Sequence, residues 1–308
     1  SQDKFNATSL DTTALVIVTL QAFAGMWINA FIVSVLFAAL VKKRSFNSNE
    51  KILLFLGCSR FWYLCIVWVH FFILIIYPRH YYVHPIPQLA DAIQILLDFS
   101  NLWASSCLAV FYCIKIANFR HFFFTYLKTK IDKMVPWLLL GSVLLSLIIS
   151  ILVYKVADGV HCNKPNATTT GNFWKMTVKM DAYFFPIFFI IGFAYAIAFL
   201  AVIFSLLLLL FSLWRHKCRM RANSGKDVSA DAHIKAMKSI LAFIFLHSIN
   251  FICLILSLVY ATKKKNPKTL LIVVFLNAFP AVHSLVLIFS NPRLEKALLR
   301  TLLCVKCK

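Results

Sequence analysis

Apolar runs and polar links alternate along this chain with a long period. Seven runs stand out, at about 13–41, 51–77, 88–118, 134–155, 183–214, 235–261 and 269–290. A helix rises about 1.5 Å per residue and a bilayer core is about 30 Å thick, so about twenty apolar residues cross it. Each run is long enough, and the pattern predicts an all-α membrane protein, a seven-transmembrane helix bundle. After Asn291-Pro292 the tail RLEKALLRTLL sets apolar residues at helical spacing with basic ones between. That spacing predicts a short amphipathic C-terminal helix in the inner membrane interface. Residues 1–308 read as one domain, with 1–12 as an extracellular N-terminus, 13–290 as the bundle and 291–308 as a cytoplasmic tail. No cleavable signal peptide is expected, because the segment before the first run is polar, so the first helix would act as its own insertion signal.

Composition agrees with a membrane and charge adds a direction. The chain is 61% hydrophobic and 14% charged, which is too apolar for an ordinary soluble domain. Its net charge of +21 would suit nucleic acid, but the basic residues lie in short links between apolar runs, as in cytoplasmic loops that touch anionic lipid. The links after the first, third and fifth runs and the tail hold 21 of the 32 lysines and arginines, which puts the N-terminus outside. Two Asn-X-Thr acceptors, at Asn6 and Asn166, fall on the side so assigned, Asn166 in the longer loop. Lys263-Lys264-Lys265 runs against the bias and reads as a surface triplet beside headgroups. Asp91, Asp98 and Asp181 read as solvated residues at the outer mouth.

The nine cysteines lie mostly inside apolar runs, as small hydrophobes, and make no metal-binding spacing. No metal or cofactor is expected. Cys304 and Cys307, in the tail, either carry acyl chains or remain thiols. Arg60 is the residue packing alone explains least. It lies within the second run, where a charge costs about 2.5–3.5 kcal/mol on insertion scales. Asn29 in the first run, His283 and Ser284 in the seventh, and carbonyls freed near Pro280 are the polar groups at comparable depth. They predict one interhelical hydrogen-bond network. Snorkelling to the inner surface is the alternative.

A family resemblance becomes specific at these positions. In the third run, Trp103, Leu108, Val110, Phe111, Tyr112 and Lys115 through Phe119 resemble the third helix of the bitter taste (type 2 taste) receptors, which are seven-helix G-protein-coupled receptors. Gly25 through Ile32 is similar to that family's G-x-x-x-N-G-F-I, with Ala30 in place of glycine, and Leu56 through Arg60 to its L-x-x-S-R. Phe279 through Ser284, with Leu287-Ile288 and Asn291-Pro292, resembles its seventh helix. Trp214-Arg215-His216 with Met220, and Ala232 through Ala236 with Lys238, resemble the inner ends of its fifth and sixth helices. Ala198 departs from a family proline and His247 from a frequent tyrosine. Asp-Arg-Tyr, Cys-Trp-x-Pro and Asn-Pro-x-x-Tyr, the marks of rhodopsin-like receptors, are missing. So is a cysteine at the outer end of the third helix to pair with Cys162, as in the bitter receptor family.

The resemblance implies a receptor for bitter small molecules, with an outer cavity between the third, fifth, sixth and seventh helices. Trp103 would form an aromatic wall, with Ser106 and Cys107 one turn deeper. His247 would lie at the pocket floor with Asn250 and Phe251 one turn outward, and Tyr195 with Ile191 would close the fifth-helix side. Cys107 replaces an asparagine found in several members, so ligand selectivity does not transfer. Tyr112, Lys115, Arg120, His216, His233, Lys235 and Lys238 cluster at inner helix ends as candidates for G-protein coupling. The family implies a gustducin-type or inhibitory-class G protein that feeds phospholipase C and calcium release, at the plasma membrane, with lipids and candidate sterol as further partners. A vomeronasal type 1 pheromone receptor is the nearest other reading; the His283-Ser284 pair and Phe119 tell against it. An intramembrane enzyme lacks its motifs here, such as His-Glu-x-x-His, and a transporter lacks similar halves with paired broken helices.

Overall fold

The computed structural model describes residues 9–43, 47–77, 83, 85–117, 122–162, 184–223, 228–260 and 267–306. Eight helices follow one another there: α1 (Ser9–Lys43), α2 (Ser48–Ile76), α3 (Ile86–Ile116), α4 (Phe122–Cys162), α5 (Phe184–Asn223), α6 (Val228–Tyr260), α7 (Pro267–Ser290) and α8 (Pro292–Lys306). The first seven are long and apolar enough to cross a membrane, and no strand occurs among the described residues. Asn6, Arg120, Asn166, Asp181 and Lys263 through Lys265 lie outside the described residues.

Short-range chemistry sets several helix ends. Glu50 accepts from the Asn47 backbone N–H at 3.1 Å, which satisfies one donor that the first turn of α2 leaves open. Pro87 sits in the first turn of α3, where a missing N–H costs nothing. Pro136 and Pro280, by contrast, lie inside α4 and α7. The largest departures from the expected boundaries are α4, which starts at Phe122 rather than near 134, and α5, which runs on to Asn223. Both extensions are basic and carry neither glycine nor proline. Lysine and arginine are good helix formers, so the helix continues past the apolar run into polar surroundings.

α3 is the central column and packs against α2, α4 and α5, while α1 packs against α2 and α7, and α6 joins α5 to α7. The main core lies in the half of the bundle nearer α8, around Leu36, Leu56, Leu108, Val202, Leu206 and Ile288. Outward-facing side chains such as Trp27, Trp137 and Phe204 are large and apolar, as lipid-facing positions should be. α8 tucks under α7, with Leu294 fully buried, and leaves Leu299, Leu302 and Leu303 exposed. These three share one face at i, i+3, i+4 spacing, so an apolar stripe is left to meet the membrane interface.

Candidate ligand-binding site

In the half of the bundle away from α8 the helices part around a cavity of about 260 Å³. α2 contributes Arg60, Tyr63 and Phe71; α3 contributes Gln94, Asp98, Asn101, Leu102 and Ser105; α5 contributes Tyr195. His247, Asn250 and Leu254 come from α6, and Val273, Leu276, Asn277, Phe279 and Pro280 from α7. On α3 the polar residues Gln94, Asp98, Asn101 and Ser105 recur at intervals of four, three and four, which puts them on one helical face.

Ser105, the deepest of the four, joins a chain of hydrogen bonds beneath the cavity. Arg60 is only 1% exposed. Its Nη1 donates to Ser284 Oγ at 2.8 Å and its Nη2 to Ser105 Oγ at 3.1 Å. Ser284 Oγ in turn donates a hydrogen bond to Asn29 Oδ1 at 2.8 Å, and Asn29 Nδ2 donates to the Gly25 carbonyl at 2.8 Å. Four helices, α1, α2, α3 and α7, are therefore tied through one guanidinium. His283 is not among Arg60's hydrogen-bond partners. Its Nε2 lies 3.1 Å from His247 Nε2, one ring donating to the other across the α6–α7 contact.

Higher in the cavity, Tyr195 donates to Asp98, so α5 is tied to α3. Asp98 is half-buried here rather than a solvated mouth residue. Asn101, 8% exposed, has no hydrogen-bond partner for either Nδ2 or Oδ1 among the described residues. A buried amide with both ends unmet costs about 1–3 kcal/mol, which a ligand or water can recover.

Of the residues named as ligand-contacting, Tyr195, His247 and Asn250 line this cavity. The other five sit beside it. Ser106 donates to the Leu102 carbonyl and bonds the Ala198 carbonyl across to α5, and Cys107 Sγ lies 3.9 Å from Ser142 Oγ of α4. Trp103 and Ile191 pack on the cluster of Phe99, Ile149 and Tyr195, and Phe251 stacks on Phe199 with ring centroids 4.2 Å apart. Sequence reasoning missed Gln94, Asn101, Ser105 and Asn277. The four–three–four interval on α3 was the signal that could have found three of them.

The ends of the helices nearer α8 hold the coupling candidates. Lys115 meets Asp132 of α4 at 2.5 Å, and Tyr112 packs against the main core. The rings of His216 and His233 lie 5.1 Å apart between α5 and α6, and Lys238 is exposed. Lys235 Nζ donates to both carboxylate oxygens of Glu295 on α8, at 2.7 and 2.6 Å. Glu50 also pairs with Arg293.

A family model described as taste receptor protein (TAS2R) matches residues 7–306. Taste receptor type 2 member 9 of Papio hamadryas is 30% identical over 311 residues, which cover 97% of this chain and 96% of its own length. Member 9 of Homo sapiens is 31% identical over 312 residues, covering 97% and 96%, and member 7 of Papio hamadryas is 33% identical over 302 residues, covering 95% and 93%.

Proposed function

Because the chain belongs to the taste receptor type 2 family, as a multi-pass bitter taste G-protein-coupled receptor and not an enzyme, we propose that its agonists bind in the cavity between α2, α3, α5, α6 and α7. One observation supports this reading: the cavity gathers unmet or solvent-facing polar groups, Asn101 foremost, within apolar walls. A few placed polar groups in an apolar concavity is the usual make-up of a small-molecule site. At about 260 Å³ it suits a ligand below drug size.

The rest of the reading follows from the family and from charge. The N-terminus faces outward at the plasma membrane, Asn166 and Asn6 carry glycans, and the α8 end faces cytoplasm. There Tyr112, Lys115, Arg120, His216, His233, Lys235 and Lys238 meet a gustducin-type or inhibitory-class G protein that feeds phospholipase C and calcium release. Lipid, with sterol as a candidate, fills the outer grooves, and residues 1–308 act as one domain. Trp103, Ser106, Cys107, Ile191 and Phe251 support the wall from behind.

Leu276→Trp tests the site. Added bulk in the cavity should abolish calcium responses to bitter compounds in cells that carry a promiscuous G protein, with surface expression retained. Unchanged dose curves would move the ligand elsewhere.

A further inference from the structure

The end of α4 nearer α8 carries two cations that the chain itself leaves unanswered. Lys130 and Lys133 are exposed, and neither makes an ion pair or side-chain hydrogen bond among the described residues. Asp132, the acid between them, turns instead to Lys115 of α3. Tyr126, Lys130, Lys133 and Trp137 follow one another at intervals of four, three and four, so they share one face of the helix. Ile131 and Val135 are buried and mark the face toward the core. Lys133 stands two residues from each, about 200° around the helix, so the face that carries it looks straight out of the bundle.

The same face continues along α4 as Leu140, Leu144 and Ile148, all exposed. Apolar side chains that point out of a membrane bundle lie against lipid tails, so the headgroups of those same lipids lie beside the two lysines. Trp137, exposed on this face, marks the boundary between tails and headgroups, where tryptophan collects. Lys133 then stands about 6 Å beyond the boundary and Lys130 about 10 Å. The polar layer of one leaflet is about 5–8 Å deep. The phosphodiester of any phospholipid reaches Lys133, whereas only a headgroup with phosphates farther out reaches Lys130. We propose that this face of α4 binds a polyphosphoinositide, with the phosphodiester on Lys133, a ring phosphate on Lys130 and the tails along Leu140, Leu144 and Ile148. Charge complementarity would also suit an acidic protein surface, but the face points sideways into the membrane rather than down into water, which favours lipid. The site lies apart from the agonist cavity, and its test needs no agonist.

The test titrates the purified full chain, in neutral detergent, with a fluorescent dioctanoyl phosphatidylinositol bisphosphate and reads polarisation. Lys130→Gln with Lys133→Gln should weaken binding about thirtyfold, the value of two lysines at an anionic membrane surface. Lys130→Arg with Lys133→Arg keeps both charges and should bind as the native chain does, which separates lost charge from lost folding. Lys128→Gln removes a like charge from the opposite side of the same helix and should change little. Unlabelled dioctanoyl phosphatidylserine and free inositol trisphosphate should each compete at least about tenfold less well than the unlabelled bisphosphate lipid, the first lacking the outer phosphates and the second the tails. Equal affinity of the glutamine double variant and the native chain overturns the proposal, and if that variant also fails to activate a G protein, the face belongs to the G protein. An equal loss in Lys128→Gln overturns it too, by showing diffuse charge rather than a site. Competition by phosphatidylserine or by inositol trisphosphate as strong as by the bisphosphate lipid does the same.

Discussion

A guanidinium survives inside a membrane helix when hydroxyl and carbonyl oxygens replace the water it gave up, and at Arg60 two serine hydroxyls do so. Ser284 is the more consequential of the two, because it accepts from Arg60 and donates to Asn29. Ser284→Ala should lower unfolding free energy by about 1–2 kcal/mol, measured by thermal or denaturant unfolding of purified receptor in lipid discs. Ser290→Ala, whose hydroxyl only returns to its own helix at the Val286 carbonyl, is the matched control and should change little. An unaltered Ser284→Ala transition would mean that Arg60 is held by other groups. The need for a polar partner was legible in the sequence, because an arginine among apolar residues has few affordable surroundings. Ser105 was not. It stands next to Ser106, and only the rotational phase of α3, set by packing against α2, α4 and α5, decides which hydroxyl faces Arg60.

At the scale of helices, close approach is what lets this network form. A Cβ on Gly25 would come 2.6 Å from Leu64 Cδ1 and 3.2 Å from Ala281 Cβ, so α1 can lie against α2 and α7 only because that atom is missing. Leu64 has some freedom to move, but Ala281 has none to spare. Gly25→Val should therefore cost about 1–3 kcal/mol, lower surface expression and shift the unfolding transition down. Gly141→Ala in α4, where nothing lies within 4 Å, should leave both readouts unchanged or slightly raised. Equal behaviour of the two variants would show that α1 is not packed this tightly. The number of helices was readable, since each apolar run matches bilayer thickness. Their ends were not: Lys128, Lys130 and Lys133 in α4 read as a loop by polarity, yet a helix leaving the membrane keeps its hydrogen bonds and needs no apolar side chains once in water.

At the scale of the molecule, signalling requires the inner ends of the helices to adopt a second arrangement that ligand binding favours. α6 is held to α8 by Lys235 and Glu295, and α8 in turn to the start of α2 by Arg293 and Glu50. Any outward swing of the start of α6 must break the first pair. Both partners are accessible, Lys235 at 58% and Glu295 at 28%, so the pair contributes no more than about 1 kcal/mol. By the population arithmetic of two states, losing that much shifts the balance about fivefold toward the open form. Glu295→Lys, which replaces attraction with repulsion, should raise ligand-independent calcium or G-protein activation by up to that factor, with agonist potency rising in step. The double exchange Lys235→Glu with Glu295→Lys restores the attraction and should return basal activity toward the starting level. If the contact of Lys235 with the G protein outweighs its pairing with Glu295, the double exchange is inactive while the single Glu295→Lys variant signals normally, and the pair is then no restraint on α6.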